Sequence, residues 1–591
     1  MLYPDLTPIA LKPGARNEPH MISKGVKTWL KINALAILVG IVGGLGSVIF
    51  RKMIEFFHYL FFNILLPRIT LMVSGYNLSI IILPAIGGLI VGPIINKVAP
   101  ETKGHGVPEV LEAVTMKGGH IRARVAAVKI IVSSLTIGSG GSVGREGPIA
   151  QIGSSFGSFV SQRFNLEESY SKLMVVCGLS SGISGTFMAP LGGAIFGIEV
   201  IYRGVAPYDI IPVLLSSVVG MFVTAEVFGM APAFSLPMYR FSNPLEIVYF
   251  IPFGLFFGLL SIIWTRGLYK FEDFFDELDI PEWVKPGIGG LFAGLMGMFF
   301  LDYGILGTGY EGLEKAILGN LPLTLLILLG VVKFLSTSIT IGSGSSGGIF
   351  APSLYMGGMI GGALGLLLIN LPLAPSEPFV YTLVGMAALF AGAAHAPLTC
   401  VIMLPEMSAN YYLFPPLMLA CASSYFVSML LTKDNIYTLK LKRRGVNVAK
   451  TVSPLQLVYV NDVMTPIEKV VTVKPDTPVS VVNFMIWETE HTGFPVMDES
   501  GYYGMITMED ILHILEEERE HVATKTVAKK ELPKVFPTDN IYSVMEKLNE
   551  EEHEILPVLD PFDPERVIGV ISDSDVLHAF SVGQDKMKLF D

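Results

Sequence analysis

From residue 28 to about residue 431 the chain is apolar almost throughout, broken at short intervals by glycine or proline. Several runs approach the roughly 20 residues a helix needs to cross a bilayer, among them 33–50, 78–95 and 321–334. Others are shorter, which predicts helices that enter the membrane without crossing it. Pro100, Pro108, Pro148, Pro190, Pro252, Pro352 and Pro397 punctuate the region, often near expected helix starts. A polar connection at 271–285, with Glu272, Asp273, Asp276, Glu277 and Asp279, separates halves of about 28–270 and 286–432. Residues 1–27 read as a loose polar tail, and 433–460 as a linker. Beyond it the pattern becomes strand–helix–strand–strand–helix and then repeats, giving small domains at 461–520 and 526–582. Strands are expected at 469–473, 494–497, 503–507, 555–559 and 567–571; helices at 479–487, 510–518, 541–548 and 575–580.

One stretch stands out inside the apolar sequence: Gly138-Ser-Gly-Gly-Ser-Val-Gly-Arg-Glu-Gly-Pro148. It carries Arg145 and Glu146 where an ionisable side chain costs roughly 2.5–3.5 kcal/mol, so charge there points to function. Glycines leave backbone N–H groups open, and Pro148 suits the first turn of a helix; a glycine loop feeding a helix start is physically an anion site. The stretch returns as Gly342-Ser-Gly-Ser-Ser-Gly-Gly-Ile-Phe-Ala-Pro352, 204 positions later (342 − 138). Gly104-His105-Gly106 and Gly307-Thr308-Gly309 precede the two copies, offset by 203 (307 − 104). Ala189-Pro190-Leu191 with Glu199 and Ala396-Pro397-Leu398 with Glu406 follow them, the glutamates offset by 207 (406 − 199). Glycine serves close helix packing in any membrane bundle. Two loops with a common offset instead predict a duplicated, transporter-like membrane domain with a site at mid-depth.

At Gly104-His105-Gly106-Val107-Pro108, Gly144-Arg145-Glu146-Gly147-Pro148 and Gly348-Ile349-Phe350-Ala351-Pro352 the chain resembles the CLC family of anion channels and proton-coupled anion transporters. The resemblance runs from about Trp29 to the C-terminus. It implies an all-α polytopic membrane domain with an inverted repeat and broken helices, followed by the α/β pair. It also implies a homodimer in the lipid bilayer with one pore per subunit, carrying chloride and possible protons. In such a site the N–H groups of Ile349 and Phe350 and the hydroxyl of Tyr437 hold the central anion, with Gly106, Arg145 and Gly147 in the flanking loops. Glu146 becomes the gate: its carboxylate competes with an anion for one position, and protonation releases the path. Arg145 satisfies carbonyls or a carboxylate.

Two positions depart from the family pattern. His105 stands where serine or proline is usual, so the ring either donates to the anion or points away, and chloride against nitrate stays open. Val200 stands where many proton-coupled members carry a second glutamate. A passive channel is therefore an alternative to an exchanger, although some exchangers also lack that acid. Glu199 pairs by repeat with Glu406, which favours a structural role for both.

The polar C-terminal repeat resembles a pair of cystathionine-β-synthase-type (CBS) domains. Gly504-Met-Ile-Thr507 with Asp510 recurs as Gly569-Val-Ile-Ser572 with Asp575. The resemblance implies a cleft for ATP, ADP or AMP, with Thr507, Asp510, Ser572 and Asp575 touching phosphate and ribose. The same residues equally suit helix capping.

Composition narrows the classes. Of 591 residues 51% are hydrophobic, and the mean hydropathy is +0.56, too high for a soluble protein. The net charge of −11 lies largely in the acidic C-terminal region and speaks for no nucleic-acid partner. Cys177, Cys400 and Cys421 all sit in apolar sequence and read as buried thiols. A basic cluster after the last span (Lys433, Lys440, Lys442, Arg443, Arg444) places that end in the cytosol, or against anionic lipid. No cleaved leader is expected, and both termini read as cytosolic, in a plasma or inner membrane. No enzyme motif or metal cluster is found. A nucleotide-sensing cation transporter or signalling membrane protein is the alternative of another class, but a cation path would want acidic side chains in its spans.

Overall fold

The computed structural model describes residues 19–203, 207–234, 244–369, 371–372, 377–446, 455, 458–489, 491–498, 501–530, 532–550, 553–561, 563 and 566–588. Of the expected tail at 1–27, residues 1–18 lie outside them and 19–27 are helical, the start of a helix that runs on into the first span; most of the expected linker beyond 446 also lies outside them. Two compact units emerge, Met1–Val448 and Ala449–Asp591.

The first unit is a helical assembly in two matched sets. The first set is α1 (Pro19–His58), α2 (Ile82–Val98), α3 (Val107–Met116), α4 (Arg124–Gly138), α5 (Glu146–Arg163), α6 (Glu168–Phe187), α7 (Pro190–Phe196) and α8 (Pro207–Phe228). The second is α9 (Phe250–Glu277), α10 (Lys285–Phe299), α11 (Tyr310–Ile317), α12 (Leu323–Gly342), α13 (Phe350–Leu368), α14 (Pro378–Ala394), α15 (Pro397–Ser408) and α16 (Phe414–Leu431). Helix starts match across the sets at offsets of 203 for α2 and α10 (285 − 82) and 204 for α5 and α13 (350 − 146). Among the described residues seven helices are long and apolar enough to cross a membrane, and three more are apolar but shorter. Helices α6 and α14, clad on most sides by other helices, form the centre of the apolar core.

The matched sets are related by inversion, which the sequence offset alone leaves undetermined. Gly144 and Gly348, equivalent at 204 (348 − 144), form an antiparallel bridge. Each N–H donates to the other's carbonyl, at 2.7 and 2.6 Å. Ser133 meets Ser346 at 2.8 Å, while their repeat equivalents Thr337 and Ser142 meet at 3.2 Å. The glutamates are exchanged in the same way. Glu199 accepts from the N–H groups of Leu398 and Thr399, at 3.0 and 2.7 Å, and from the Thr399 hydroxyl at 2.6 Å. Glu406 accepts from the N–H groups of Leu191 and Gly192, at 3.1 and 2.6 Å. Each half therefore caps the start of a helix in the other.

Two boundaries differ from the expectation. Residues 271–277 do not form a connection: they are the last two turns of α9, leaving only 278–284 between the halves. Residues 433–446 do not form a linker either. They return to the membrane unit through a short helix, α17 (Thr438–Arg443). One cause explains both. Glu272 pairs with Lys440 at 2.5 Å, and Asp273 with Arg443. Lys442 pairs with Asp434 at 2.6 Å and Arg444 with Glu109 at 3.0 Å. Lys440, Lys442, Arg443 and Arg444 are thus engaged within the unit, not spread as a free lipid-binding patch.

The second unit interleaves two similar halves. Helices α18 (Val479–Thr489) and α19 (Met508–Leu512) flank β2 (Gly493–Asp498) and β3 (Gly501–Thr507), and α20 (Ile541–Glu550) and α21 (Asp573–Lys588) flank β4 (Ile555–Leu559) and β5 (Val567–Ser572). Both hairpins are antiparallel. A short strand at the start of the first half, β1 (Thr465–Pro466), pairs with β5 of the second. The strand expected at 469–473 shrinks to a single bridge from Val473 to Val496.

The exchanged caps yield a prediction. Glu199→Ala and Glu406→Ala should each lower the stability of the detergent-solubilised protein by about 1–2 kcal/mol, read as a lower thermal midpoint, with anion preference unchanged.

Candidate functional site

Three loops meet at the Gly144–Gly348 pair. Gly104 bonds to the second-half loop, its N–H donating to the Ser345 carbonyl at 3.1 Å and its carbonyl accepting from Gly347 at 3.2 Å. Gly147 lies so close to the His105 carbonyl that a Cβ would sit 2.1 Å from its oxygen. These loops open α3, α5 and α13, so the free N–H groups of three helix starts converge on one region.

Glu146 is the first residue of α5 and is 1% exposed. Its Oε2 accepts from the N–H of Ala351 at 3.3 Å, in the first turn of α13. Its Oε1 accepts from the hydroxyl of Tyr310 at 2.7 Å. The carboxylate thus lies at the α13 start. Arg145 makes no ion pair with it. The guanidinium lies 5.3 Å from the Tyr310 ring and reaches the Thr186 carbonyl at 3.5 Å. Arg145 also lines an open cavity of about 830 Å³ with Arg51, His58, Thr308, Glu311 and Lys315.

Phe350 turns its ring into Phe187 and Phe390, with centroids at 5.1 and 4.4 Å, so only its backbone remains for the site. Ile349 is the residue before the helix, and its carbonyl accepts from the Ser353 N–H at 3.0 Å and its hydroxyl at 2.7 Å. His105 is buried, with Nε2 3.2 Å from the Tyr269 hydroxyl. Tyr269 gives its single proton to the Ile436 carbonyl, so Nε2 is the protonated nitrogen in that contact. Nδ1 is buried without a hydrogen-bond partner. The ring centroid lies 5.7 Å from that of Tyr437, which is 1% exposed. Asn435 fixes this tyrosine: its Oδ1 accepts from the Tyr437 N–H and its Nδ2 donates to the Ala394 carbonyl, both at 2.9 Å. Gly106, at φ 85°, faces the Gly147 carbonyl, where a Cβ would lie 2.9 Å away. Val200 is 2% exposed, in the turn after α7.

Several participants are absent from the sequence reading. Lys129 donates to the carbonyls of Thr102 and Gly104, at 3.0 and 2.9 Å. Its repeat equivalent Lys333 (333 − 129 = 204) donates to Gly304, Ile305 and Gly307, at 2.9, 3.1 and 2.9 Å. Each lysine braces a glycine loop, and their shared offset in apolar sequence was a signal available beforehand. Tyr310 and Tyr269 carry no such signal.

In the second unit, Thr507 and Asp510 form a capping box at the start of α19. The N–H and hydroxyl of Thr507 donate to Asp510 Oδ2, at 2.9 and 2.8 Å. Ser572 and Asp575 repeat this, both bonds at 2.9 Å. The first pair opens on a cavity of about 290 Å³, lined also by Met505, Glu509, Lys529, His553 and Glu554. The ammonium of Lys529 lies 2.9 Å from Asp510 Oδ1.

The voltage gated chloride channel family matches residues 87–429, more than half of the chain. The CBS domain matches twice, at 460–517 and 525–582. The chain is 29% identical over 435 residues to the H(+)/Cl(-) exchange transporter ClcA of Vibrio parahaemolyticus, covering 72% of this chain and 92% of that one. It is 26% identical over 415 residues to a putative chloride channel protein, ClcB-like, of Ralstonia nicotianae, covering 69% and 96%. A slow cyanobacterial Cl-/H+ antiporter superposes with a TM-score of 0.64 at 27% identity, covering 71% of this chain and 98% of that one. A eukaryotic CLC transporter shares the fold over 93% of this chain and 98% of its own, at a TM-score of 0.61 and 18% identity. With the inverted repeat and the converging helix starts, these matches show that the chain belongs to the CLC family of chloride channels and antiporters and carries a C-terminal pair of CBS domains.

Proposed function

We propose that the protein carries chloride, or a similar small anion, across a membrane along a path closed by Glu146. The single observation that supports this reading is the position of the Glu146 carboxylate, buried and accepting from Ala351 at the start of α13. A helix start carries roughly half a positive charge, enough to attract an anion without trapping it. While the carboxylate holds that place, chloride cannot. Protonation removes its charge and its claim on the N–H group, so external pH controls access. Ile349 and Phe350 offer backbone N–H groups, and Tyr437 a hydroxyl, to the ion further along. The structure supports a role for Arg145 at the mouth, because it lines the open cavity and leaves Glu146 unpaired. A homodimer with both termini in the cytosol is the assembly that family membership favours.

Proton-coupled exchange is the reading favoured by relatives named as exchangers, at 29% and 27% identity. A passive channel is the second reading, and Val200 carries it: an apolar residue stands where a second proton carrier is expected. Glu199 does not substitute, since both its oxygens are taken by α15. For the CBS pair we propose adenine nucleotide binding at the first motif, where the cavity lies. The capping bonds of Asp510 and Asp575 are compatible with this, because a capped carboxylate retains free lone pairs.

Glu146→Gln imitates the protonated gate. In proteoliposomes it should still pass chloride but lose its response to external pH and any proton movement. Full pH dependence in that variant would refute the gate. Wild type separates the two readings: uphill proton movement driven by a chloride gradient means exchange, and chloride movement alone means a channel. His105→Ser should change the chloride/nitrate permeability ratio, measured as a reversal potential, because with the proton on Nε2 the ring offers only the Nδ1 lone pair, whereas a serine hydroxyl would add a donor beside Tyr437. Asp510→Ala should weaken ATP, ADP or AMP binding measured by calorimetry on the full-length protein by about tenfold or more, and by more than Asp575→Ala does, because the proposed site is the first motif, where the cavity lies.

A further inference from the structure

The residue that meets the other oxygen of Glu146 comes from the opposite half of the chain. Tyr310 begins α11, directly after Gly309, whose φ of 93° turns the loop into the helix. Its hydroxyl lies 2.7 Å from Glu146 Oε1, within the range of a charge-assisted bond. The loop that carries it is pinned from below by the ammonium of Lys333, which binds three of its carbonyls. The ring is held between Arg145, 5.3 Å away, and Phe234, 6.0 Å away. Thr308, Gly309 and Glu311 line the open cavity, while neither Tyr310 nor Glu146 does. The cavity lining thus includes the residues on either side of Tyr310 in the chain.

The inverted repeat provides an internal control. The residue equivalent to Tyr310 is Val107 (310 − 107 = 203), the first residue of α3. Valine there forms the same loop-to-helix junction without a hydroxyl. The junction therefore does not require a phenol for packing: Tyr310 of the second half faces Glu146 of the first, whereas its equivalent Val107 belongs to the first half and the repeat equivalent of Glu146 in the second half is Phe350 (350 − 146 = 204), which carries no carboxylate.

We propose that Tyr310 is the positioning residue that latches the Glu146 carboxylate in the closed arrangement and thereby sets the external pH at which the anion path opens; this rests on the reading of Glu146 as the gate. The hydroxyl donates to the charged carboxylate and has less to offer a neutral one. Opening then requires both protonation and the loss of this bond. The other charged and titratable groups facing the pair are Arg145 from the same loop, Lys333 from α12, Tyr437 after α16, and Arg51 of α1, which faces Arg145. None of them forms an ion pair with Glu146 among the described residues, so the Tyr310 bond is the specific contact to remove.

The test is chloride efflux from proteoliposomes of the full chain as a function of external pH. Tyr310→Phe keeps the ring against Arg145 and Phe234 and removes only the hydroxyl, which bonds Glu146 and also meets the Arg145 side chain. Its half-activation should move to higher pH by about one to two units, since a hydrogen bond to a charged group has been lost. Tyr310→Val, which copies the residue of the other half, should give the same shift. In a Glu146→Gln background, Tyr310→Phe should change nothing. An unshifted Tyr310→Phe beside a pH-insensitive Glu146→Gln would overturn the latch and leave the gate standing. A shift in Tyr310→Val but not in Tyr310→Phe would assign the effect to the ring and also overturn it. Full pH dependence in Glu146→Gln would remove the gate and the latch together.

Discussion

The two hydrogen bonds between Gly144 and Gly348 set the geometry of everything around them. They join equivalent residues of inverted halves, so the pseudo-symmetry axis passes between two backbones in direct contact. No side chain fits there. A Cβ on Gly144 would lie 2.2 Å from Glu146 Oε2, and one on Gly348 would lie 2.8 Å from the Gly147 nitrogen. The same contact brings the starts of α5 and α13 together across the axis, and Gly104 draws the start of α3 to them. The site's charge is thus made from backbone dipoles, placed by glycines that allow the chains to touch.

Four charges of the unit are handled in the same way, although Glu272 and Lys440 form a buried ion pair. Lys129 and Lys333 sit in apolar surroundings without a carboxylate bonded to either ammonium, and backbone carbonyls solvate both. Glu199 and Glu406 are solvated by backbone N–H groups instead. A full ion pair would demand the burial of two charges, whereas oriented peptide groups stabilise one charge with dipoles already fixed by the fold. The same economy suits an anion that must bind and leave.

The glycine loops and their common offset made the duplication and the helical membrane fold legible, because both rest on local chemistry repeated at a fixed spacing. What the sequence did not disclose depends on contacts made at long range. The acids at 272 and 273 looked like a loop because their partners, Lys440 and Arg443, lie some 170 positions away. Residues 433–446 looked like a linker for the same reason. At the site, Glu146 drew attention through its cost in apolar sequence. The Ala351 N–H could not, since every residue but proline offers one. Tyr310 was hidden because its partner is 164 positions distant and its repeat equivalent is a valine. In the second unit the sequence left capping and ligand contact open for Thr507 and Asp510, and the structure displays the capping bonds there beside a cavity.

The exchange of caps between the halves bears on how the chain is made. During synthesis the first half is threaded into the bilayer before the second exists. Until α15 is made, Glu199 has no N–H groups of Leu398 and Thr399 to bind, and until Glu406 arrives, the start of α7 lacks its acceptor. A half-finished chain therefore holds an unsolvated acid and an open helix end at the same time. Biogenesis must keep both near water or near the insertion machinery, and the native arrangement forms as a late, concerted closure once the last spans have been released.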